Sequence, residues 1–513
     1  MAPTATHLLE SKTRHAARMI ACFSLAVLLF LPWMTRGPLR HWDEAWYAQA
    51  SREMLRHSSW LTVWWNGAPW FHKPPLSLWG TALSFQWFGE SEFSARLFSG
   101  LCTLALLLLI TSVDWSESAT ASDRSVGLLA ALLLLGVPDF LKFTTRGQMD
   151  GPIAFMLAAQ LVCFLRGRND PRWHWLAGIF FGLGIMTKGA AAGLALVVQG
   201  SYMLLAGERR PMRQPEWWLS LGLGVAIALP WHVHQAVVHG EAFWKEYGSR
   251  HFSQFFMDIH PEESITPAKP LFYWNYLLHK QTPWGWLSLV ILGLAAGFTA
   301  WRRDRALALA FCWGASIPIA LSFSRAKWGW YLVPAYPGIA LTAALLVAKT
   351  PLWRSRSSSI LLAAAAIAVL SNVQSARRLD SKEHEEAIRE LAPTVQKFVP
   401  VNAPIHALQM ADHKQSVFAI ATMYYCDRPV HVARGLEHLQ QIAENAANPF
   451  CLLAHKDAVR ELMTRNTSAP IARFELEILD ESNPVTLVRI TPTAIQRAAS
   501  EPGVNKPADH SLR

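Results

Sequence analysis

The sequence predicts an α-helical polytopic membrane protein of about eleven transmembrane helices, with a large first extracytoplasmic loop (about 35–94) and a small C-terminal soluble α/β domain. Three observations predict it. Of the 513 residues, 52% are hydrophobic and only 16% charged, too apolar and too charge-poor for an ordinary soluble enzyme. Apolar stretches recur at the roughly 20 residues that a hydrocarbon core of about 30 Å requires, and the alternation of barrel strands is absent, so helices are the spanning form. The composition then turns polar from about Ser375. The 24 Trp and 25 Phe suit the bilayer–water boundary, where aromatic rings settle.

The first span follows Lys12, Arg14 and Arg18 and runs to Trp33. It has no small-residue cleavage site before the next charged loop, so it reads as an uncleaved helix with its N-terminus in the cytoplasm. Spans are expected next at about Arg96–Val113, Val126–Phe143, Pro152–Leu165, Trp173–Thr187, Ala190–Leu205 and Trp217–His232. Four more are expected at about Trp284–Trp301, Ala306–Phe323, Tyr331–Val347 and Ile360–Val373. Alternating the loops places Arg166, Arg168 and Arg172, then Arg209, Arg210 and Arg213, then Arg302, Arg303 and Arg305, then Lys349, Arg354 and Arg356 on one side, the positive-inside pattern. The acidic loop Asp114–Arg124 gives no support. The net charge of +10 is thus a topology signal rather than a nucleic-acid surface, because the cations sit in short clusters between apolar runs.

The remaining loops then face outside, and they hold Asp43, Glu44, His72, Lys73, Asp150, Lys188, His251, Arg325 and Lys327. Headgroup anchoring accounts for some of the cations but not for the carboxylates, which gain nothing near anionic lipid. Asp43 and Glu44 open an amphipathic segment in which Trp42, Trp46, Ala50 and Met54 share a face. An acid there caps a helix or, against an apolar wall, serves as a general base. In Trp-Phe-His-Lys-Pro-Pro the paired prolines hold the backbone extended and start the next helix. They fix the direction of Lys73, either snorkelling to the interface or facing a phosphate whose leaving charge needs a positive partner. Lys188 lies between two apolar stretches, where a lysine inside the bilayer costs several kcal/mol. A tight outside turn between two short helices avoids that cost.

Beyond Ser375, helix-like EEAIRELAPTVQKF, LEHLQQIAENAA and DAVRELMTR alternate with strand-like PIHALQM, RPVHVA, FCLLAH and TLVRI, giving a transmembrane domain over 1–374, an α/β domain over 375–496 and a disordered tail over 497–513. An odd number of spans puts the α/β domain outside. Its histidines are scattered and nothing in it looks catalytic. Cys22, Cys102, Cys163 and Cys312 fall in apolar runs as packing residues, and Cys426 with Cys451 leaves a disulfide or two free thiols open.

Several blocks together, DEAWYAQASREML, NGAPWFHKPPL, GESEFSARL, RGQMDGPIAF, GLGIMTKG, LPWHVH, EYGSRHFSQFF and FSRAKWGWYLVPAYP, resemble the C-type (GT-C) polyprenyl-phosphate-dependent glycosyltransferases. Within that family the likeness is to the lipid A aminoarabinose transferases and their protein O-mannosyltransferase relatives. The blocks run in family order over roughly the first 350 residues. The resemblance implies a catalytic acid at Asp43, with Glu44 beside it and a second acid at Asp150. It implies a lipid-phosphate site drawing on Lys73, Lys188 and Tyr331, with Tyr47 and His251 lining the same cavity and Arg325 and Lys327 as helpers. Two departures stand out. Aminoarabinose transferases usually carry an acid where His72 stands and an arginine where Ala45 or Trp46 stands, which puts the sugar in doubt more than the reaction. His72, His251 and Asp43 are of metal-ligand type, but spacing alone does not bring them together, so no cofactor is assigned and a divalent ion stays open.

The expected function is single-displacement, inverting transfer of a sugar from a polyprenyl-phosphate donor to a lipid, glycan or protein acceptor at the outer face of the cytoplasmic membrane, with no nucleic-acid partner. The alternative is a polyprenyl-lipid carrier or flippase without transferase activity. A carrier needs ionisable groups along a path within the spans, and here the spans are nearly free of charge. A lipid-linked glycan ligase or a phosphoethanolamine-type transferase is a second enzyme alternative. The latter needs a large metal-binding domain that the tail lacks.

Overall fold

In the computed structural model, the described residues are 34–115, 126–249, 271–280, 288–296, 304–350, 383–410, 417–468 and 474–492, apart from 41, 326 and 418, together with scattered positions in 20–32. The span expected at 360–373 falls wholly outside them, and the span expected at 284–301 and the first span are described only in part. The chain divides into two units, Met1–Arg36 with Ala50–Asp380, and Gly37–Gln49 with Ser381–Arg513.

The first unit is helical. Helix α1 (Asp43–Arg56) enters it at Ala50 and is followed by a two-stranded hairpin, β1 (Trp64–Trp65) and β2 (Ala68–Pro69). Then come α2 (Leu76–Phe88), α3 (Glu92–Ser112), α4 (Val126–Leu135), α5 (Pro138–Thr144), α6 (Asp150–Gly167) and α7 (Trp173–Lys188). A 3₁₀ turn, Gly189–Gly193, leads to α8 (Leu194–Leu205), a short 3₁₀ turn Pro211–Arg213, α9 (Pro215–Gly248), α10 (Phe272–Lys280), α11 (Arg305–Ser322), a further 3₁₀ turn Gly329–Ala335 and α12 (Tyr336–Ala348). Among the described residues six helical runs are long and apolar enough to cross a membrane, or seven if α4 and α5 count as one broken span.

That pair corrects the continuous helix expected over 126–143: α5 leaves α4 at 79°. Pro138 at the start of α5 lacks an N–H and its ring crowds the preceding turn, while the Gly136 and Val137 amides bond back to Leu132, Leu133 and Leu134 and close α4. The two short spans expected on either side of Lys188 form one run from Trp173 to Leu205, interrupted by the 3₁₀ turn. Gly189, at φ 57°, takes a left-handed conformation that favours glycine. Helix α7 packs on α6 and α9, and α8 packs on α11.

Small residues set the contact between α7 and α9. A Cβ on Gly178 would stand 2.3 Å from the Ser220 carbonyl oxygen, and one on Gly182 would stand 2.7 Å from that of Gly224. The two backbones therefore touch along a small-xxx-small stripe, the packing that membrane helices use when no hydrophobic drive separates protein from lipid. Gly178→Ala is expected to lower stability by about 1–3 kcal/mol through overpacking, seen as a drop in thermal midpoint in detergent. Gly200→Ala, which meets nothing within 4 Å, should leave that midpoint unchanged. Arg96 in α3 is 1% exposed and its Nη1 donates to the Met34 and Arg36 carbonyls, which ties the end of the first span to α3.

In the second unit, α13 (Glu383–Phe398), β3 (Ile405–Gln409), α14 (Ala419–Cys426), β4 (Val430–Arg434), α15 (Gly435–Asn445), β5 (Phe450–His455), α16 (Lys456–Ser468), β6 (Phe474–Ser482) and β7 (Val485–Pro492) build a mixed sheet of order β4-β3-β5-β7-β6. Strand β3 runs parallel to β4 and β5, and β7 is antiparallel to β5 and β6. Leu408, Leu452 and Val488 on one sheet face pack with Leu436 and Leu439 of α15 and Leu462 of α16. Cys426 and Cys451 are both buried free thiols.

Candidate functional site

The loop around Lys73 is fixed from three sides within the first unit. Glu53, on the last half of α1, accepts hydrogen bonds from the Asn66 and Gly67 amides at 2.9 and 3.2 Å. Both residues have positive φ, 52° and 74°, as an Asn-Gly hairpin turn requires. Glu246, on the last turn of α9, accepts from the Phe71 amide at 3.4 Å and lies 2.8 Å from His72 Nε2. Upstream of Phe71, the Leu61 carbonyl accepts from Trp231 Nε1 and Gln235 Nε2, and Thr62 bonds His239 Nε2. Phe71 stacks edge-on against Phe243 and joins an apolar cluster with Met186, Trp231 and Tyr247, against which Leu76 and Ile185 pack. The loop that carries Lys73 is therefore seated beside the last turn of α7, the turn that ends in Lys188.

Lys188 Nζ lies 2.7 Å from Asp150 Oδ1, with side-chain exposures of 13% and 2%. The pair follows from where the two residues stand. Asp150 opens α6, where the helix N-terminus favours an anion, and Lys188 closes α7, where the C-terminus favours a cation. Nζ also lies 5.4 Å from the centre of the Tyr331 ring, within cation–π reach. Tyr331 belongs to the 3₁₀ turn before α12, and that turn is held from behind. A Cβ on Gly329 would meet the Tyr276 ring at 2.1 Å, Tyr276 donates its hydroxyl hydrogen to Asp139 Oδ2 at 2.6 Å, and Trp313 Nε1 donates to the Pro334 carbonyl.

A buried ion pair is poor evidence of stabilisation, because desolvating both charges offsets most of their attraction. A shielded ammonium held by one carboxylate oxygen keeps donors for a second anion, and this suits a phosphate better than it suits packing. Lys327 is buried with its Nζ on the Ser324 carbonyl, and burial lowers its pKa from the usual lysine value. Arg325 beside it is exposed.

Of the residues singled out from the sequence, Asp150, Lys188 and Tyr331 thus meet directly, and Lys73 stands on the loop packed beside them. Asp43, Glu44 and Tyr47 stand on the segment Gly37–Gln49 of the second unit. There Glu44 is 1% exposed and accepts from the Arg40 amide at 2.8 Å, closing the turn before the helix, and the Leu39 amide donates to the Tyr425 hydroxyl. Asp43 is half-buried in the first turn of α1 and Tyr47 is buried. His251 lies outside the described residues. Among those residues no group of three His, Cys, Asp or Glu side chains is placed to hold a metal ion. Sequence reasoning missed Glu53 and Glu246, which hold the loop. Their only signal was a carboxylate on a helix near an aromatic-rich loop, a pattern shared by any solvated helix face.

Residues 72–234 match the family model described as dolichyl-phosphate-mannose-protein mannosyltransferase. The curated undecaprenyl phosphate-alpha-4-amino-4-deoxy-L-arabinose arabinosyl transferase of Shewanella sediminis is 26% identical over 314 residues, covering 59% of this chain and 54% of the relative. A second such transferase, from Sodalis glossinidius, is 31% identical over 331 residues, covering 59% and 54%. The chain thus matches just over half the length of these relatives. Among solved structures, ArnT from Cupriavidus metallidurans bound to undecaprenyl phosphate superposes with a TM-score of 0.72 at 18% identity, covering 92% of this chain and 97% of that one. The oligosaccharyltransferase of Archaeoglobus fulgidus gives 0.51 at 13% identity, covering 86% and 69%. The chain has the fold of these enzymes, and its resemblance to the GT-C polyprenyl-phosphate glycosyltransferases holds at the level of sequence and of fold.

Proposed function

We propose that the protein is a membrane glycosyltransferase that moves a sugar from a polyprenyl-phosphate donor to a lipid, glycan or protein acceptor at the extracytoplasmic face of the cytoplasmic membrane. The observation that carries this is the Lys188–Asp150 pair beside Tyr331, next to the seat of the Lys73 loop. Two lysines from distant parts of the chain suit one phosphate headgroup. The named relatives act on undecaprenyl-phosphate-linked aminoarabinose, which supports the same donor class here.

In the proposed reaction Asp43 takes the proton of the acceptor hydroxyl as its oxygen attacks the anomeric carbon. The bond from that carbon to the phosphate oxygen breaks, and the departing lipid phosphate carries away the electron pair. Lys73 and Lys188 stabilise its charge, Tyr331, Arg325 and Lys327 assist them, and Asp150 orients Lys188; the roles proposed for Tyr47 and His251 rest on the sequence resemblance alone. One displacement inverts the anomeric centre. Histidine at position 72 and the missing arginine near Trp46 leave the sugar to experiment. Reconstituted protein incubated with a panel of radiolabelled polyprenyl-phosphate sugars should transfer one of them, with the product anomer opposite to that of the donor. Lipid movement across the bilayer without any transfer would point to a carrier instead.

A further inference from the structure

The second unit holds a cavity of about 720 Å³ that is formed without any residue of the proposed transfer site. This volume lies within the range of small-molecule sites. The cavity opens where β3 and β5 begin, between the end of α13 and the loop after it (Phe398, Pro400, Pro404) and the flank of α15 (His438, Gln441, Asn445). Its walls carry imidazoles, amides and apolar rings, and one permanent charge, that of Arg489. That charge is already engaged. The Arg489 guanidinium lies 3.0 Å from a Glu477 carboxylate oxygen and 5.3 Å from the centre of the Phe398 ring, so the wall offers little net attraction to an anion.

The polar groups that remain are neutral and come in donor and acceptor pairs. His406 lines the cavity at 8% exposure, with its Nδ1 shielded from water and the Cys451 backbone beside the ring. Burial, and then the neighbouring His431, push its pKa down to about 4, against an opposing pull from the Cys451 backbone. The ring is therefore neutral at physiological pH and presents one donor and one acceptor. His438 Nδ1 accepts from the Arg434 amide, which puts its proton on Nε2 as a donor. Asn445 donates its amide to the Gln441 carbonyl and keeps Oδ1 as an acceptor. Phe450, whose ring centre is 4.5 Å from that of His406, and Ile442 supply apolar wall beside these groups.

Alternating neutral donors and acceptors against apolar surface complement a molecule with hydroxyls on its rim and C–H groups on its faces. We propose that this cavity binds a neutral saccharide, through Gln441, Asn445, His438 and His406. The proposal concerns the second unit alone and does not rest on the transferase assignment.

The test uses the full chain in detergent and saturation-transfer NMR, with maltose, methyl α-mannopyranoside and N,N′-diacetylchitobiose as neutral probes and glucuronate and glucose 6-phosphate as charged counterparts. At least one neutral probe should receive saturation, at least tenfold more weakly in Gln441→Leu and Asn445→Leu, while both variants keep the parent's thermal midpoint. The charged counterparts should receive little. Silence from all neutral probes at concentrations on the order of 10 mM, where even a weak sugar site is occupied, overturns the proposal. So does equal or stronger binding of the anions, or unchanged binding in both variants. Sugar transfer measured on the same preparations reports on the other site separately.

Discussion

Asp150→Ala is expected to destabilise the protein by about 3–5 kcal/mol and to abolish transfer. The first effect follows from burial: the substitution leaves the Lys188 ammonium, 13% exposed and paired with Asp150 at 2.7 Å in the parent, without a counter-charge among the described residues, and stranding one member of a buried pair costs about 3–5 kcal/mol. Thermal unfolding in detergent reads it. The second effect follows if Lys188 holds the lipid phosphate, since losing a well-placed donor to a developing negative charge typically costs about 10²–10³ in rate. A paired variant separates the two. Asp150→Asn with Lys188→Gln exchanges the ion pair for an amide pair and should recover most of the thermal midpoint while remaining inactive. If the paired variant transfers sugar at the parent rate, the pair is structural only and the phosphate assignment loses its anchor.

Asp43→Asn is expected to leave a folded protein that binds donor and transfers almost no sugar. Asparagine has nearly the same shape as aspartate, so the first turn of α1 is kept at the loss of a charge–dipole contribution of about 0.3–1 kcal/mol, and the negative charge and the proton acceptor are removed. A general base contributes typically about 10²–10⁴ in rate, and initial rates should fall by that factor while equilibrium binding of labelled donor is unchanged. Turnover near the parent level would take Asp43 out of the reaction. Loss of donor binding together with activity would place it with the phosphate-holding groups instead.

The apolar runs at 92–112, 150–167 and 305–322 announce their helices, because a span must be apolar over a fixed length and that property is local. The bend before Pro138 was also written in the chain, as a proline inside an apolar run, but hydropathy averages over it. In the second unit, β6 carries Glu475, Glu477, Asp480 and Glu481, too acidic to resemble a strand. It forms as an edge of the sheet, with Glu475, Glu477 and Glu481 exposed, Glu477 paired across to Arg489, and Asp480 accepting from Thr394 of α13. At the candidate site the lysines were legible as cations out of place among apolar residues. Their partners were not, since nothing local ties Asp150 to Lys188 or Glu246 to His72 across 38 and 174 positions.

By itself the sequence determined the membrane character, the helical form of the spans and the presence of ionisable groups at their ends, all of which follow from transfer free energies summed over neighbouring residues. Only the tertiary structure decided which carboxylate faces Lys188, which helix seats the Lys73 loop, and that Cys426 and Cys451 stay apart as thiols. Those outcomes depend on glycine-lined helix contacts and on polar groups that must find partners once water is excluded, and both are properties of the packed chain rather than of any stretch of it.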